Sequence, residues 1–520
     1  MKQENRKLIW LLLGALIFNA VFWKEKMALN TVLFGLYIII ALFCLYPKAR
    51  QSNKVRWLLA GHLLCLAMVV WHNTDLSKFA YDISLVILVA FAHFEHRAIA
   101  FAGGSFLENM VFALPSFAQN LPKLNSGTQT RFRPGKYIRF ALIPLLLALL
   151  FFIIYNVANK AFNDITVRFL DSIGDYLENF FEYFSLGRFF FFLFGLFITT
   201  TLIQKSRKGY FEKKEKDLSD QVLRKKTDRI KHHASMGFEI LQGVLGRLVT
   251  GVMALKNFNT VAIISLVLLN ILLAITNGID ISYLWIGFDT KGVNLYQLIH
   301  DGSNLLIISI LLAITVVIVF FKGNLNFYSR TRSLRVLAYI WIVQNMILVV
   351  SVFIRDYYYI REAGLARNRI GILFYLALVF FGLITVCWKI YFKKSTYFLF
   401  RVNAWAAFFL LVVSTTINWD LLIVKYNLSR KDEIILPARY MTDLSPSVLP
   451  ILDANRETIS RHETLMGKAG FWDRQDCEGC SIKNLDDRIE RYMHLQKSYS
   501  WLSWNRSDEL FKQYFNTKNK

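Results

Sequence analysis

The chain has 520 residues, of which 55% are hydrophobic, 15% aromatic and only 19% charged, against about 25% charged in average soluble domains. Runs of about 15 to 21 mostly apolar residues recur along its first four-fifths and can each cross a hydrocarbon core of roughly 30 Å, which excludes an ordinary soluble domain; eight prolines and weak period-two alternation argue against an outer-membrane barrel. The net charge of +24 is spread over loops without aromatic interleaving, which argues against nucleic acid as a partner.

Taken in order, the apolar runs predict eleven spans: 8–23, 29–46, 57–71, 79–95, 138–156, 187–204, 257–276, 303–321, 334–354, 370–388 and 398–418. The expected fold is all-α, a polytopic helical transmembrane bundle with interfacial amphipathic helices and a small C-terminal extramembrane region. Residues 1–160 are predicted to hold the N-terminal membrane helices. The first span follows Lys2, Arg6 and Lys7, but bulky Asn19-Ala-Val-Phe-Trp23 offers no cleavage site, so it reads as a retained anchor. Cys44, Cys65 and Cys387 fall inside spans and read as small buried hydrophobes. Residues 97–136 contain Gly103-Gly104, Pro115, Pro122 and Pro134, and read as a short interfacial helix and a loop.

Residues 161–186 form an amphipathic pattern. Asp164, Asp171, Asp175, Glu178 and Glu182 fall within about a 60° sector of a helix. Phe162, Ile165, Phe169, Ile173, Tyr176, Phe180 and Phe184 repeat opposite them. This predicts an interfacial helix on the outer surface, with a solvated acidic face or one that binds a cation or partner. The span 187–204 is followed by a basic cytoplasmic loop and interfacial helix over 205–256, with Lys213-Lys-Glu-Lys216 and Arg224-Lys-Lys226. Such a loop is expected to meet anionic lipid, at about 1 kcal/mol per basic residue near the surface. Within it, 238–255 is apolar, but Glu239 and Arg247 place it in the interface rather than across the membrane. The loop between the seventh and eighth spans holds Asp280, Asp289, Lys291, Tyr296, His300 and Asp301, read as polarity at the mouth of a span or as half of a site.

With the N-terminus inside, the cytoplasmic segments carry 31 Lys and Arg, and the outer loops before the tail carry 10. The excess predicts a cytoplasmic N-terminus and an extracytoplasmic C-terminus. The tail, 419–520, holds 16 basic and 15 acidic residues, and Asp486–Leu495 and Asp508–Phe515 read as helical. Its Cys477-Glu-Gly-Cys480 admits a local disulfide, favoured by an oxidising compartment, beside a redox pair, a zinc site with His462 and His494, or free thiols.

No phosphate loop, nucleophile elbow, metalloprotease helix or dinucleotide fingerprint is present, so no catalytic, cofactor-binding or metal-ligating set is predicted. The predicted span centres hold no Asp or Glu, which weighs against an ion-coupled transporter. The notable polar stretch lies inside 257–418, in Arg355-Asp-Tyr-Tyr-Tyr-Ile-Arg-Glu-Ala-Gly-Leu-Ala-Arg-Asn-Arg369, between two apolar runs. Ser351, Arg355 and Tyr359 are spaced by one helical turn, and Gly364 suits a C-cap with positive φ. Arg355, Tyr359, Arg361, Arg367 and Arg369 are candidates for an anion or lipid-headgroup site, with Asp356, Glu362 or tail carboxylates such as Asp420 as alternative counter-charges. The other reading is an interfacial anchor of snorkelling arginines and headgroup-level tyrosines.

Ser351, Arg355, Tyr357, Tyr359-Ile360, Gly364-Leu365, Arg367 and Arg369 resemble the signature of a bacterial family of multi-spanning membrane proteins known only as a domain of unknown function. Asn418-Trp-Asp420, Lys425-Tyr-Asn427, Leu444-Ser445, Pro450 and Trp504-Asn505 extend the resemblance from about Leu255 into the tail. Ala363 and Ala366 depart from the family's usual aromatic and Thr. The resemblance implies a bacterial membrane location and supplies no reaction. Two functions are carried forward. One is a non-enzymatic inner-membrane protein that senses, scaffolds or assists assembly with envelope partners. The other is a membrane enzyme or flippase acting on an anionic lipid-linked substrate at the arginines.

Overall fold

A computed structural model describes residues 3–113, 158–168, 185–206, 208–222, 254–286, 295–321, 323–328, 330–468 and 480–518, with isolated positions between 115 and 156. Most of the span predicted at 138–156, residues 238–253 of the segment 238–255, most of the acidic helix after Arg168, Asp289, Lys291 and Cys477 lie outside the described residues, as do the side chains of Tyr296, His300, Asp301 and Cys480. The chain folds as two compact units.

The first unit comprises residues 1–96, 101–212 and 498–507. Its helices are α1 (Gln3–Phe22), α2 (Leu29–Leu45), α3 (Asn53–Trp71), α4 (Asp75–His93), α5 (Ile99–Val111, from residue 101 onward) and α6 (Leu186–Ile203). Thr74 starts α4 by accepting a hydrogen bond from the Ser77 amide, and Ser185 starts α6 by accepting from the Arg188 amide. The α1–α6 pair packs closely because Gly195 carries no Cβ; one added there would sit 2.7 Å from the Phe18 ring. Inside the bundle His62 Nδ1 and Ser84 Oγ lie 2.8 Å apart and tie α3 to α4.

This unit has two polar ends. At one, Glu25 accepts from the Ser500 amide at 3.2 Å and from the Ser503 hydroxyl. There too the Leu29 amide donates to Trp504 O at 3.2 Å, and the Arg506 guanidinium lies 3.8 Å from the Trp71 ring centre. The tail segment 498–507 therefore sits on the loops that follow α1 and α3. At the other end Tyr46 Oη donates to Ile203 O at 3.1 Å, and Glu108 accepts from Ser206 Oγ at 2.9 Å and from the Tyr210 amide at 3.0 Å.

The second unit, residues 97–100, 213–497 and 508–520, holds α8 (Ala254–Asp280), α9 (Leu295–Phe320), α10 (Arg332–Ala363), α11 (Arg367–Tyr391) and α12 (Thr396–Ser414); α7 (Tyr210–Lys216) straddles the two units. α8 to α12 share one apolar core that includes Leu266, Ile310, Leu334, Ile342, Val352, Leu376, Val386 and Leu399. Part of the predicted basic loop is folded: Glu215 is buried, accepting from the Arg97 and Ala98 amides at 3.1 and 2.7 Å and from Tyr397 Oη at 2.5 Å.

Seven helices among the described residues are long and apolar enough to cross a membrane: Asn53–Trp71, Asp75–His93, Leu186–Ile203, Lys256–Trp285, Arg332–Ala363, Arg367–Tyr391 and Thr396–Ser414. Leu29–Leu45 and Ile308–Phe320 are shorter apolar helices, and α1 covers the first predicted span. Many large apolar side chains on these helices face outward, Leu268, Leu272, Leu312, Phe400 and Phe409 among them, as lipid-facing surfaces require. The chain is an all-α, multi-pass helical membrane protein.

Beyond α12 the tail builds a second core. Its helices are α13 (Trp419–Ser429), α14 (Ala438–Thr442), α15 (Leu449–Ala454), α16 (Arg456–Lys468), α17 (Cys480–Ser498) and α18 (Arg506–Lys518). Ile423, Val424, Leu436, Met441, Leu449, Leu452, Ile459, Leu485, Phe511 and Phe515 are buried together, and Leu365 and Ile370 join them from the α10–α11 turn. α18 is held by charge: Asp453 accepts from Lys518 Nζ at 2.7 Å and Tyr514 Oη at 2.9 Å, while Arg456 Nε donates to its other oxygen at 2.6 Å.

Candidate functional site at the arginine turn

The site begins with helix length. α10 has 32 residues and is therefore about 48 Å long, more than a bilayer's roughly 30 Å apolar thickness. Its last turns, which carry Arg355 to Ala363, extend past what the hydrocarbon needs. Gly364 then ends the helix at φ +78, as its sequence position predicts. A Cβ there would also meet Asn427 Oδ1 at 2.6 Å. Ala366 is extended and starts α11, so the turn is three residues long.

Four groups from the tail and the helix ends fix this turn. Buried Asn427 takes both backbone groups of Leu365, accepting from its amide at 2.7 Å and donating to its carbonyl at 3.0 Å. The Arg367 amide donates to Tyr440 Oη at 2.7 Å. Arg367 sets its fork on Asp420, with Nε at 2.6 Å from one oxygen and a terminal nitrogen at 2.5 Å from the other. Arg369 donates to the carbonyls of Ala363, at 2.9 Å, and Gly364, which closes the negative end of α10, and its guanidinium lies 3.9 Å from the Tyr359 ring centre.

Asp420 is 6% exposed, and burial alone would raise its pKa. The Arg367 fork and the Ser445 amide, which donates at 3.1 Å, outweigh that and hold the carboxyl below its ordinary range. Asn418 caps α13 by accepting from the Leu421 amide at 3.1 Å and donates to Ser447 at 3.2 Å.

Arg355 points elsewhere. It pairs with Asp280 of α8 at 2.5 Å, both side chains largely buried at 12% and 7% exposure. One turn earlier Ser351 accepts from Trp285 Nε1 at 3.2 Å. Arg361 faces outward and pairs with its neighbour Glu362 at 3.1 Å. The five predicted residues thus divide: Tyr359 and Arg369 stack together, Arg367 joins the tail, Arg355 joins α8, and Arg361 stays at the surface.

The sequence names Asp280 and Asp356 in other settings, Asp356 as a counter-charge to the arginines, and does not single out Lys389. Asp280 was expected in a loop; instead α8 continues through it and then widens into a π-helical turn, Ile281–Trp285. Asp356 is buried with neither carboxylate oxygen hydrogen-bonded. Lys389 is fully buried near one end of α11 and donates to Phe321 O at 2.9 Å. The available signal for Asp280 was the polar series Asn270, Asn277, Asp280 at helical spacing.

Among the described residues no group of three or more His, Cys, Asp or Glu is placed to hold a metal ion. No curated protein and no solved structure matches the chain. A family model does, across residues 37–455, so the likeness reaches well upstream of residue 250 and runs through both the helices that carry the turn and most of the tail groups that hold it. The chain belongs to the family described as Domain of unknown function (DUF4153).

Proposed function

We propose that this chain is a non-enzymatic protein of the bacterial cytoplasmic membrane that uses its folded tail to sense, scaffold or assist assembly in the envelope. The observation that carries this reading is the use made of the arginines. Arg355, Arg367 and Arg369 each have an internal partner, and the turn they surround is built into the tail's core. The lipid-active alternative would seat an anionic headgroup at these arginines, whereas Arg355, Arg367 and Arg369 are engaged by Asp280, Asp420 and the end of α10, and Arg361 alone faces outward.

In this reading the N-terminus is cytoplasmic and the tail extracytoplasmic. The excess of Lys and Arg in the alternate loops supports it. So does the seating of residues 498–507 on the loops after α1 and α3, which belong to the outer face under the same parity. The exposed remainder of the tail and the acidic helix predicted at 161–186 would meet envelope proteins. The basic segment after α6 would meet anionic lipid.

The test has two arms. Cysteine labelling in intact cells at Lys213 and at Lys512 should place the two positions on opposite sides. The purified chain in vesicles containing anionic and polyprenyl-phosphate lipids should neither consume nor translocate either lipid faster than protein-free vesicles. A lipid turnover or translocation rate that disappears in Arg367→Ala would overturn the proposal in favour of the lipid-active alternative.

A further inference from the structure

Four helix ends of the first unit meet at one end of its bundle. α1 ends at Phe22 and α2 begins at Leu29, while α3 ends at Trp71 and α4 begins at Asp75. The two connections are tied together, since Asn73 Nδ2 donates to Met27 O at 2.8 Å. α3 has 19 residues and is therefore about 28 Å long, close to the apolar thickness of a bilayer. Its outward stripe runs from Trp57 through Leu63 and Leu64 to Trp71, all of them exposed. Tryptophan near both ends of a lipid-facing stripe marks the two headgroup layers. Trp71 thus sets the lipid boundary at this end of the unit.

The tail segment between α17 and α18 is fixed at that boundary. Besides the contacts of Glu25 with Ser500 and Ser503, the Lys26 amide donates to Ser503 Oγ at 3.0 Å. The Leu29 amide, at the start of α2, holds Trp504 O, and Lys26 Nζ lies 5.4 Å from the Tyr499 ring centre. Arg506 reaches the lipid-facing stripe itself, because its guanidinium stacks on Trp71, which is still 51% exposed. Backbone groups and two serine hydroxyls therefore do the fastening. The large side chains remain outside, with Trp501 67% exposed and Trp504 45%.

Two exposed indoles beside an arginine make a poor surface for water and a good one for the headgroup layer. Each indole has an apolar body with one N–H donor. A guanidinium is weakly hydrated, forks onto phosphate and lays its stem along apolar surface. The charge agrees: across residues 23–28, 72–78 and 499–506, Lys24, Lys26, Lys78 and Arg506 outnumber Glu25 and Asp75. Continuity with the stripe of α3, through the Arg506–Trp71 stack, selects lipid over a protein as the occupant. We propose that residues 499–506 are a lipid anchor for the tail, with Trp501 and Trp504 among the headgroups and Arg506 on a phospholipid phosphate. This goes beyond the envelope reading and holds on either face of the membrane, since both leaflets carry phosphates.

The experiment uses the full chain in nanodiscs of phosphatidylcholine and phosphatidylglycerol, with and without bromine on the upper acyl chains. Trp501 is exposed, so Trp501→Phe should keep the fold, and the emission it removes is that of residue 501. That emission should lie toward the blue, lose most of its intensity in brominated lipid and lose little to acrylamide. Strong quenching by acrylamide with none by brominated lipid would overturn the proposal and leave the surface to water or a protein partner. Arg506→Glu sets a carboxylate against the phosphates. With the helical signal unchanged, it should open the residue-501 emission, measured by the same subtraction, to acrylamide. Emission as well shielded as in the wild type would overturn the phosphate contact. Should Arg506→Glu fail to fold, Arg506→Gln, which removes the charge alone, is read in the same way.

Discussion

Two Arg–Asp pairs flank the same helical hairpin and solve different problems. Arg367 and Asp420 form a bidentate fork; the arginine is 48% exposed, and the Ser445 amide takes a further acceptor position on the carboxylate. Arg355 and Asp280 share one hydrogen bond, both are nearly buried, and Arg355 Nε and Asp280 Oδ2 are both left without a partner. The first pair is saturated and joins the tail to the turn. The second leaves one donor and one acceptor unanswered inside a helix interface, so its members depend on each other alone.

The contrast can be broken first at its buried member. Arg355→Ala strands Asp280 in the α8–α10 interface and should cost about 3–5 kcal/mol, the scale for removing one partner of a buried pair. Thermal unfolding of the variant beside the wild-type chain measures that loss. Asn427→Ala should follow, at about 2–3 kcal/mol, since it deprives the Leu365 amide and carbonyl of their buried partner. Limited proteolysis of that variant should cut first near residues 364–366, and resistance equal to wild type would show that the turn is held by packing alone.

Acid sharpens the comparison further. Asp420 and Asp453 both have pKa values held below the ordinary carboxylate range, by Arg367 and Ser445 in one case and by Lys518, Arg456 and Tyr514 in the other, in each case against the opposing effect of burial. A depressed carboxylate contributes stability that is present above its unfolded pKa, about 4, and is lost as pH falls through the lower folded value. The tail should therefore loosen below about pH 4, and Asp420→Asn should flatten the acid limb of melting temperature against pH. The smallest effect belongs to Arg361→Ala. Its exposed pair with Glu362 is worth about 0–1 kcal/mol, so stability should hardly change; a large loss would mean that Arg361 carries contacts beyond that pair.

The apolar runs made the helices readable, because lipid imposes the same demand on every turn of a span. Gly364 was readable as a helix end for an equally local reason. Asp420 could be named only as one of several counter-charges, since nothing in a single sequence sets residue 367 beside residue 420. Asp280 was misplaced on physical grounds. A hydropathy window treats Asn277 and Asp280 as the exit from a span, whereas a helix continues through polar residues when a neighbouring helix satisfies them. Gln344 and Arg355 perform that service here. Asn270 Nδ2 likewise donates to Leu337 O at 3.1 Å, seven residues earlier on both helices. This seven-residue echo between 270–277 and 337–351 was visible in the chain, but it becomes meaningful only when the two segments are known to lie side by side.

That echo has a mechanical consequence. Rungs repeated every seven residues would let α8 slide along α10 by about 10.5 Å and find similar amide partners again. The Asp280–Arg355 pair does not repeat. After such a slip Asp280 would face Leu348, and a bare carboxylate would rest on hydrocarbon. The ion pair is therefore the key that admits one setting of a sliding scale.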